Sequence, residues 1–170
     1  GFVFQDPSLL PWRTVRRNVT LPLELIDESL GTVDDPDRLL RAVGLSDFAN
    51  YYPHQISTGM KQRVALARAL VFGPSILLMD EPLGSLDEMT RIAMRYELLR
   101  LWDSSGKTAI MVTHSITEAV LLSDRVIVMS PRPGHVIDEV PIGLPRPRVE
   151  SNEQSVQFAD YVWRIKKMLQ

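Results

Sequence analysis

The sequence predicts an α/β fold with a mostly parallel sheet and an inserted helical region. Short apolar segments bounded by turn residues alternate with segments of helical periodicity, which is the pattern of successive β-α-β units. A longer helical stretch, from Val15 to about Ala49, separates the first strand from these units. With 170 residues, of which 45% are hydrophobic, the chain can bury one core of ordinary size.

Charge and composition exclude several classes of protein. The net charge is −2, and no run of Lys and Arg is longer than two, so nucleic acid is not expected as a partner. The absence of cysteine excludes disulfides and thiolate metal sites and is compatible with the cytosol. No apolar run approaches the roughly 20 residues that cross a bilayer, so a membrane link would require a partner protein. The opening GFVF lacks the features of a signal peptide, and we expect the chain to be cut on its N-terminal side.

The first elements follow from turn residues and capping residues. An apolar strand from Gly1 ends at Gln5, where the sequence continues with Asp and Pro. The helical region that begins at Val15 contains a polar turn at residues 31–36. Ser57 is a typical N-cap for the next helix, which Gly73 and the following proline end.

The later elements alternate between strand and helix. Strands are expected at 75–80, 108–113 and 125–129, with helices at 86–104 and 116–122 between them. The segment 75–80 is almost wholly apolar, which predicts a strand buried on both faces of a parallel sheet. Beyond Ser130 the sequence is rich in proline, which indicates either a linker or a segment at the edge of the fold, with a strand at 135–140. A final amphipathic helix, 154–169, places Phe158, Val162, Ile165 and Leu169 on one face, and packing against the core is favoured over a regulatory role.

Polar residues follow each predicted strand at the edge where α/β folds bind ligands. Asp80 and Glu81 come directly after an apolar strand. In nucleotide hydrolases the first such carboxylate holds Mg²⁺, and the second orients or deprotonates the attacking water. A surface turn would explain the two acids equally well if they stood alone. His114 follows the next strand, where it could hydrogen-bond a γ-phosphate or the water, and Gln5 follows the first strand.

The helix start at Ser57 offers a second candidate for phosphate contact. The backbone N–H groups of the segment Ser57-Thr58-Gly59 are unpaired at a helix N-terminus, where the helix dipole favours an anion. A serine cap is more often purely structural. The assignment therefore depends on the other motifs.

The order of these motifs resembles that of the ATP-binding-cassette (ABC) ATPases. Gln5 resembles the Q-loop glutamine, ISTGMKQR resembles the signature motif LSGGQ, and ILLMDEP resembles the Walker B strand with its catalytic Glu81. The segment GSLD, which ends at Asp87, resembles the D-loop, and VTH, which ends at His114, resembles the H-loop. The resemblance extends to about Met129 and implies the C-terminal part of a RecA-like P-loop NTPase core with an inserted α-helical subdomain.

The resemblance also implies a division of the chain and a set of site residues. The core strand and Q-loop would occupy residues 1–6, the helical subdomain 7–50, the rest of the core 51–130 and a C-terminal extension 131–170. ATP and Mg²⁺ are the implied cofactors. Site residues would fall into three groups: Glu81, His114 and Gln5 catalytic; Asp80 and Gln5 at the metal; Ser57, Gly59 and Asp87 at the nucleotide of a second copy.

Within the family, the segment FQDPSLLPWRTVRRNV, the signature form with Met60, and the tail with VIVMSPRPGHV and LPRPR resemble importers of the nitrate, sulfonate and taurine type. This implies a homodimer on the cytoplasmic face of the membrane that drives transmembrane permease subunits. A periplasmic or extracellular solute-binding protein would act through the permease. The segment Leu10-Pro11-Trp12 is a candidate for the groove that docks the permease, although it could equally belong to the subdomain core. The substrate would be a small anion.

The sequence departs from the family pattern in two ways. Thr58 stands where the family has glycine, and a β-branched side chain there is expected to weaken the contact with the partner's γ-phosphate. No GxxxxGK[ST] phosphate loop is present, and the tripeptide at 106–108 lies between a helix and a strand, so it is a turn. Two alternatives therefore stay open, which are an inactive fragment or dimerisation module and a soluble cassette ATPase acting on DNA or ribosomes. Upstream sequence would separate the first from the transporter.

Overall fold

A three-stranded parallel sheet forms the centre of the fold in the computed structural model, which describes residues 1–25 and 33–170. Its strands are β1 (Phe2–Val3), β2 (Ile76–Asp80) and β3 (Thr108–Val112), in the order β1-β2-β3. Helix α5 (Glu88–Ser105) connects β2 to β3. The parallel sheet predicted from the alternation of strands and helices is confirmed.

The helical region between β1 and β2 is made of short helices with polar caps. These are α1 (Val15–Val19), α2 (Leu21–Leu25) and α3 (Pro36–Ala42), followed by 3-10 turns at 46–48 and 53–55 and by the longer α4 (Thr58–Leu70). The hydroxyl of Ser57 caps α4 as predicted. The predicted polar turn at 31–36 lies partly outside the described residues, which resume at residue 33.

The C-terminal part contains α6 (Ile116–Leu122), β4 (Arg125–Met129), β5 (Val136–Pro141), α7 (Glu150–Glu153) and α8 (Val156–Met168). The strand predicted at 125–129 is present, but the expectation that it joins the parallel sheet is wrong. Strand β4 pairs with β5 antiparallel in a separate two-stranded sheet. The link between β4 and β5 is too short for the crossover that parallel pairing needs.

Strand β2 is covered on one face only, which corrects the prediction of a strand buried on both faces. Leu77 and Met79 are 2% and 4% exposed, whereas Ile76 and Leu78 are 52% and 38% exposed. Apolar side chains of β1 and β3 continue this exposed sheet face, which consists of Phe2, Phe4, Ile76, Leu78, Ile110 and Val112. A strand with apolar residues on both faces is expected to have apolar neighbours on both. The described residues provide such neighbours on only one face of β2.

Two hydrophobic clusters form the core. The first joins the buried face of the parallel sheet to α1, α3 and α4, and the second lies among α5, α6, the β4–β5 sheet and α8. Phe158 and Ile165 are buried in the second cluster, so α8 packs against the core as favoured from its sequence. Leu169 is 51% exposed, which corrects its predicted place on the buried face.

The Pro-rich segment after β5 is anchored to α6 and is not a free linker. The Arg148 side chain is fully buried and donates to the carbonyl oxygens of Leu121 and Ser123 at 2.9 and 2.6 Å. These carbonyls lie at the C-terminal end of α6, where a helix lacks its own donors. The arginine therefore fixes the C-terminal extension to the helix that follows β3.

Candidate functional site

Three strand ends meet at the carboxyl edge of the parallel sheet. Asp80 pairs with Val112 in register, and the Glu81 N–H donates to the Val112 carbonyl at 2.9 Å. The Gln5 amide Nε2 lies 3.5 Å from the point where a Cβ on Gly84 would stand, and Glu81 Cβ lies at the same distance from that point. The structure thus brings Gln5 and Glu81 together around Gly84, as their positions after neighbouring strands predict.

Glu81 and His114 form a closely bonded pair. One carboxylate oxygen, Glu81 Oε1, accepts the backbone N–H of His114 at 3.0 Å and lies 2.8 Å from the ring atom Nδ1. Glu81 adopts a φ of 45°, a left-handed conformation that costs free energy in a residue with a side chain. The hydrogen bonds that the described residues make to this carboxylate use Oε1 alone, so Oε2 can accept a proton from a ligand.

The loop that carries Gln5 is held by two residues of α4 that the sequence reasoning missed. Gln62, which is 2% exposed, donates its Nε2 to the Phe4 carbonyl at 3.2 Å. Arg68 donates to the Pro7 carbonyl at 2.7 Å, and its burial lowers the pKa of its guanidinium. These bonds fix the backbone on both sides of Gln5. No local signal marks them, because α4 also carries Lys61 and Arg63 on either side of Gln62.

Asp80 and Gln5 offer oxygen atoms that suit Mg²⁺ bound together with a phosphate. Both residues are exposed at neighbouring strand ends. No cluster of three or more acidic or histidine side chains able to hold a metal occurs in residues 1–25 and 33–170. Mg²⁺ typically takes one or two protein ligands and fills its other positions with water and substrate phosphates. The donor set therefore fits a nucleotide-borne Mg²⁺ rather than a protein cage.

Ser57, Gly59 and Asp87 form a second group at the paired starts of α4 and α5. The Ser57 hydroxyl caps α4, and Asp87 Oδ1 accepts the Thr90 N–H at 3.0 Å as the cap of α5. This bond lowers the pKa of Asp87. Gly59 is buried, and a Cβ on it would overlap Thr90 Cγ2. The two helix starts are therefore in direct contact.

The two groups stand on different elements, one at the ends of the parallel strands and the other at the starts of α4 and α5. In the part of the chain that the structure describes, no hydrogen bond joins the second group to Glu81 or His114. Thr58 is exposed at the first position of α4, so it has room for its side chain within this chain.

Comparisons with known proteins identify the family. The family model described as "ABC transporter" matches residues 1–84. An uncharacterized ABC transporter ATP-binding protein of Methanocaldococcus jannaschii is 45% identical over 99% of this chain and 62% of its own length. A taurine import ATP-binding protein of Rhizobium johnstonii is 43% identical over 99% of this chain and 67% of its own length. The chain belongs to the ATP-binding proteins of the ABC transporter family.

Solved structures agree with this assignment. An ATP-binding cassette determined as a dimer in a post-hydrolysis state, with ADP and Pi bound, superposes with a TM-score of 0.69. It is 36% identical, and the match covers 85% of this chain and 63% of that one. This confirms the fold class predicted from the sequence, which is an α/β fold of the P-loop NTPase type. The chain spans about 62% of the length of the curated relatives that it matches first.

Proposed function

We propose that this chain carries the catalytic edge of the ATP-hydrolysing subunit of an import transporter. The observation that carries the proposal is the Glu81–His114 pair at the carboxyl edge of a parallel sheet, with Gln5 beside it. Nucleotide hydrolysis uses a side chain that orients the attacking water at the γ-phosphate, and a fixed carboxylate can serve in this role. Here the carboxylate is fixed by two contacts with one histidine.

The proposed mechanism assigns a separate role to each strand end. Glu81 orients the attacking water and takes its proton, while His114 holds the carboxylate and turns its exposed ring toward the γ-phosphate. Asp80 and Gln5 would hold the Mg²⁺ that accompanies ATP, and this ion would neutralise charge on the phosphates. Gln62 and Arg68 keep the Gln5 loop in place while the nucleotide changes.

A second copy of the chain would complete the site. Ser57, Gly59 and Asp87 stand at helix starts, and among the described residues they make no hydrogen bond to the Glu81–His114 pair, which supports contact with the nucleotide of a partner molecule. The dimeric state of the superposed cassette supports this arrangement. Closure of two copies over ATP would then supply the mechanical step of transport.

A groove in the helical region is proposed to dock the permease. It has a volume of about 340 Å³ and is lined by Trp12, Thr14, Arg16, Arg17, Asn50 and Tyr52. The Trp12 side chain is 72% exposed. Asn18, which is fully buried, bonds both the N–H and the carbonyl of Leu10 and so fixes the loop before Trp12. An exposed tryptophan on a fixed loop is a typical anchor for a partner protein.

The transported substrate is proposed to be a small anion such as taurine, another sulfonate or nitrate. The support is the similarity to a taurine import ATP-binding protein. Permease subunits would select the substrate with an external solute-binding protein, and this subunit would sit at the cytoplasmic face of the membrane. No helix within the described ranges is both long and apolar enough to cross a bilayer.

ATP hydrolysis by an extended protein tests the proposal. The extended protein is this chain continued upstream along its own reading frame until a phosphate-binding loop is included. We expect it to hydrolyse ATP, and we expect Glu81→Gln to abolish turnover while trapping an ATP-bound dimer on size-exclusion chromatography. Glu139→Gln, an acid of the β4–β5 sheet that pairs with Arg125, is the matched control and should hydrolyse ATP like the unsubstituted protein without accumulating an ATP-bound dimer. An inactive extended protein would favour the dimerisation-module alternative.

A further inference from the structure

Glu118 is a buried carboxylate close to the Glu81–His114 pair, and the mechanism above does not use it. It is 3% exposed and lies in the first turn of α6. Burying a carboxylate is costly unless it is paired and hydrogen-bonded. Its neighbours on α6, Val120 and Leu121, are fully buried apolar residues, so an apolar side chain would suit this helix better.

The first contact of Glu118 is with the turn that carries His114. Thr113 Oγ1 donates to Glu118 Oε2 at 2.9 Å and accepts the Ser115 N–H at 3.0 Å. This one hydroxyl therefore bridges the residues on either side of His114. Because the His114 N–H is the donor to Glu81, the orientation of this turn determines how the catalytic carboxylate is held.

The bonding departs from ordinary helix capping. The segment Ser115 to Glu118 has the spacing of a capping box, in which the glutamate would turn back to the backbone N–H of the serine. Here Thr113 Oγ1 takes that N–H, and the carboxylate of Glu118 bonds the threonine hydroxyl instead. Capping of α6 alone would not require this threonine.

The second contact of Glu118 is with α5, the helix that begins at Asp87. Arg91 Nε and Arg95 Nε each lie 4.0 Å from Glu118 Oε1, and neither atom has a hydrogen-bond partner within the described ranges. Arg91 also donates from Nη2 to the Leu86 carbonyl at 2.9 Å, inside the loop that precedes Asp87. Arg91 thus contacts both the Asp87 loop and the Glu118 carboxylate, and Glu118 in turn bonds the turn that carries His114.

We propose that Glu118 is a positioning residue that orients the Glu81–His114 pair through Thr113 and couples it to the Asp87 loop through Arg91. The inference rests on the proposed function, since it concerns how the same site is held. When a partner nucleotide engages Asp87, a movement of α5 would reach Glu118 through Arg91. The two catalytic loops of one subunit would then respond together.

Kinetic variants of the extended protein test this proposal. Thr113→Val removes the hydroxyl at constant shape, and Glu118→Ala removes its acceptor. Each should lower kcat about ten- to hundredfold, with KM for ATP changed less than about twofold, because small misplacements of catalytic groups have large effects on rate. Thr113→Ser should retain wild-type kcat. The double variant should be no slower than either single one, since both act on one connection.

A structural role and a positioning role are separated by a matched control. Val120→Ala opens a cavity two residues from Glu118 and should lower Tm by as much as Glu118→Ala, yet keep kcat. If Val120→Ala and Glu118→Ala have the same Tm and lose kcat equally, the proposal is overturned.

A second readout is independent of ATP hydrolysis. In the chain itself, the amide of His114 should exchange its hydrogen about tenfold faster in Thr113→Val and Glu118→Ala than in the unsubstituted chain, while amides of β4 keep their rates. Unchanged exchange at His114 would overturn the proposal even if kcat falls. If the unsubstituted extended protein does not hydrolyse ATP, the proposed function fails, and the exchange rates alone decide the role of Glu118.

Discussion

Thr58 stands at the first position of α4 with its side chain exposed, on the side of the chain proposed to face a partner's nucleotide. Its neighbours Ser57 and Gly59 have clear structural roles as a cap and as a close contact with α5. Nothing within the described residues requires a threonine there. Its effect is therefore tested at the proposed interface between two copies.

Thr58→Gly is expected to raise the ATPase rate of the extended protein three- to tenfold, since removing the side chain lets the backbone approach the γ-phosphate more closely. Thr58→Ser, which loses the methyl group alone, should give an intermediate rate. The comparison is made as kcat at saturating ATP. Equal rates for the three proteins would show that the threonine does not crowd the interface.

The Asp87 carboxylate makes the stability of the fold depend on pH. The Thr90 N–H bond lowers the pKa of Asp87 below its ordinary value of 3.8, so the carboxylate stabilises the fold at higher pH. This contribution is present above about pH 3.8 and is lost as pH falls through the lower folded-state pKa. Asp87→Asn should remove that acid-side dependence while the side-chain oxygen still caps α5. A carboxyl ¹³C titration of Asp87 with a midpoint at or above 3.8 would contradict the account.

Helices α4 and α5 meet at Gly59 and Thr90, and the packing of the two helices depends on this contact. Gly59→Ala is expected to destabilise the chain by about 1–3 kcal/mol, because the added methyl group would overlap Thr90 Cγ2. Thr90→Ser, combined with Gly59→Ala, removes the overlapping atom and should restore most of the loss. Chemical denaturation of the single and double variants measures this.

Gly134→Ala is the control for that experiment. Its added Cβ would make an ordinary contact with Met129 Cε at 3.8 Å, so stability should change by less than about 0.5 kcal/mol. If Gly59→Ala were as stable as this control, close packing would not explain the glycine, and a role toward a ligand would be favoured.

At the scale of the whole molecule, the exposed sheet face is the main departure from an ordinary core. Leu78 stands in register with Phe2 and Ile110, and all three are exposed. The rings of Phe2 and Phe4 contact each other on this face, with centroids 4.3 Å apart and planes tilted by 33°. A contiguous apolar face of this kind normally marks an interaction surface. In the extended protein, we expect the added upstream segment to cover this exposed sheet face.

This predicts a measurable difference between the two proteins. The chain should bind the dye ANS and self-associate in light scattering, and Leu78→Thr with Ile110→Thr should reduce both signals, because threonine suits strands and is less apolar. The extended protein should bind little ANS. Leu77→Thr, on the buried face, should unfold the chain instead. Strong ANS binding by a folded extended protein would contradict the covering of this face.

Much of the architecture could be predicted because it depends on local signals. The cap Ser57 and the strand before Asp80 are visible in a few residues each, and strand order then brings Glu81 beside His114. Long-range contacts left no such signal. The one-sided burial of β2, the antiparallel pairing of β4 and the bond from Gln62 to the Phe4 carbonyl all depend on which elements become neighbours. The same is true of Glu118, whose local pattern indicated only a helix cap.

The most direct test of the proposed ATPase is calorimetric titration of Mg²⁺–ATP into the extended protein and into this chain. We expect binding by the extended protein, weak or no binding by the chain, and a tighter, dimeric complex when Glu81 is replaced by Gln. These results would mean that the carboxyl edge described above acts with an upstream phosphate-binding loop. An extended protein that is folded and yet fails to bind Mg²⁺–ATP would contradict the central claim.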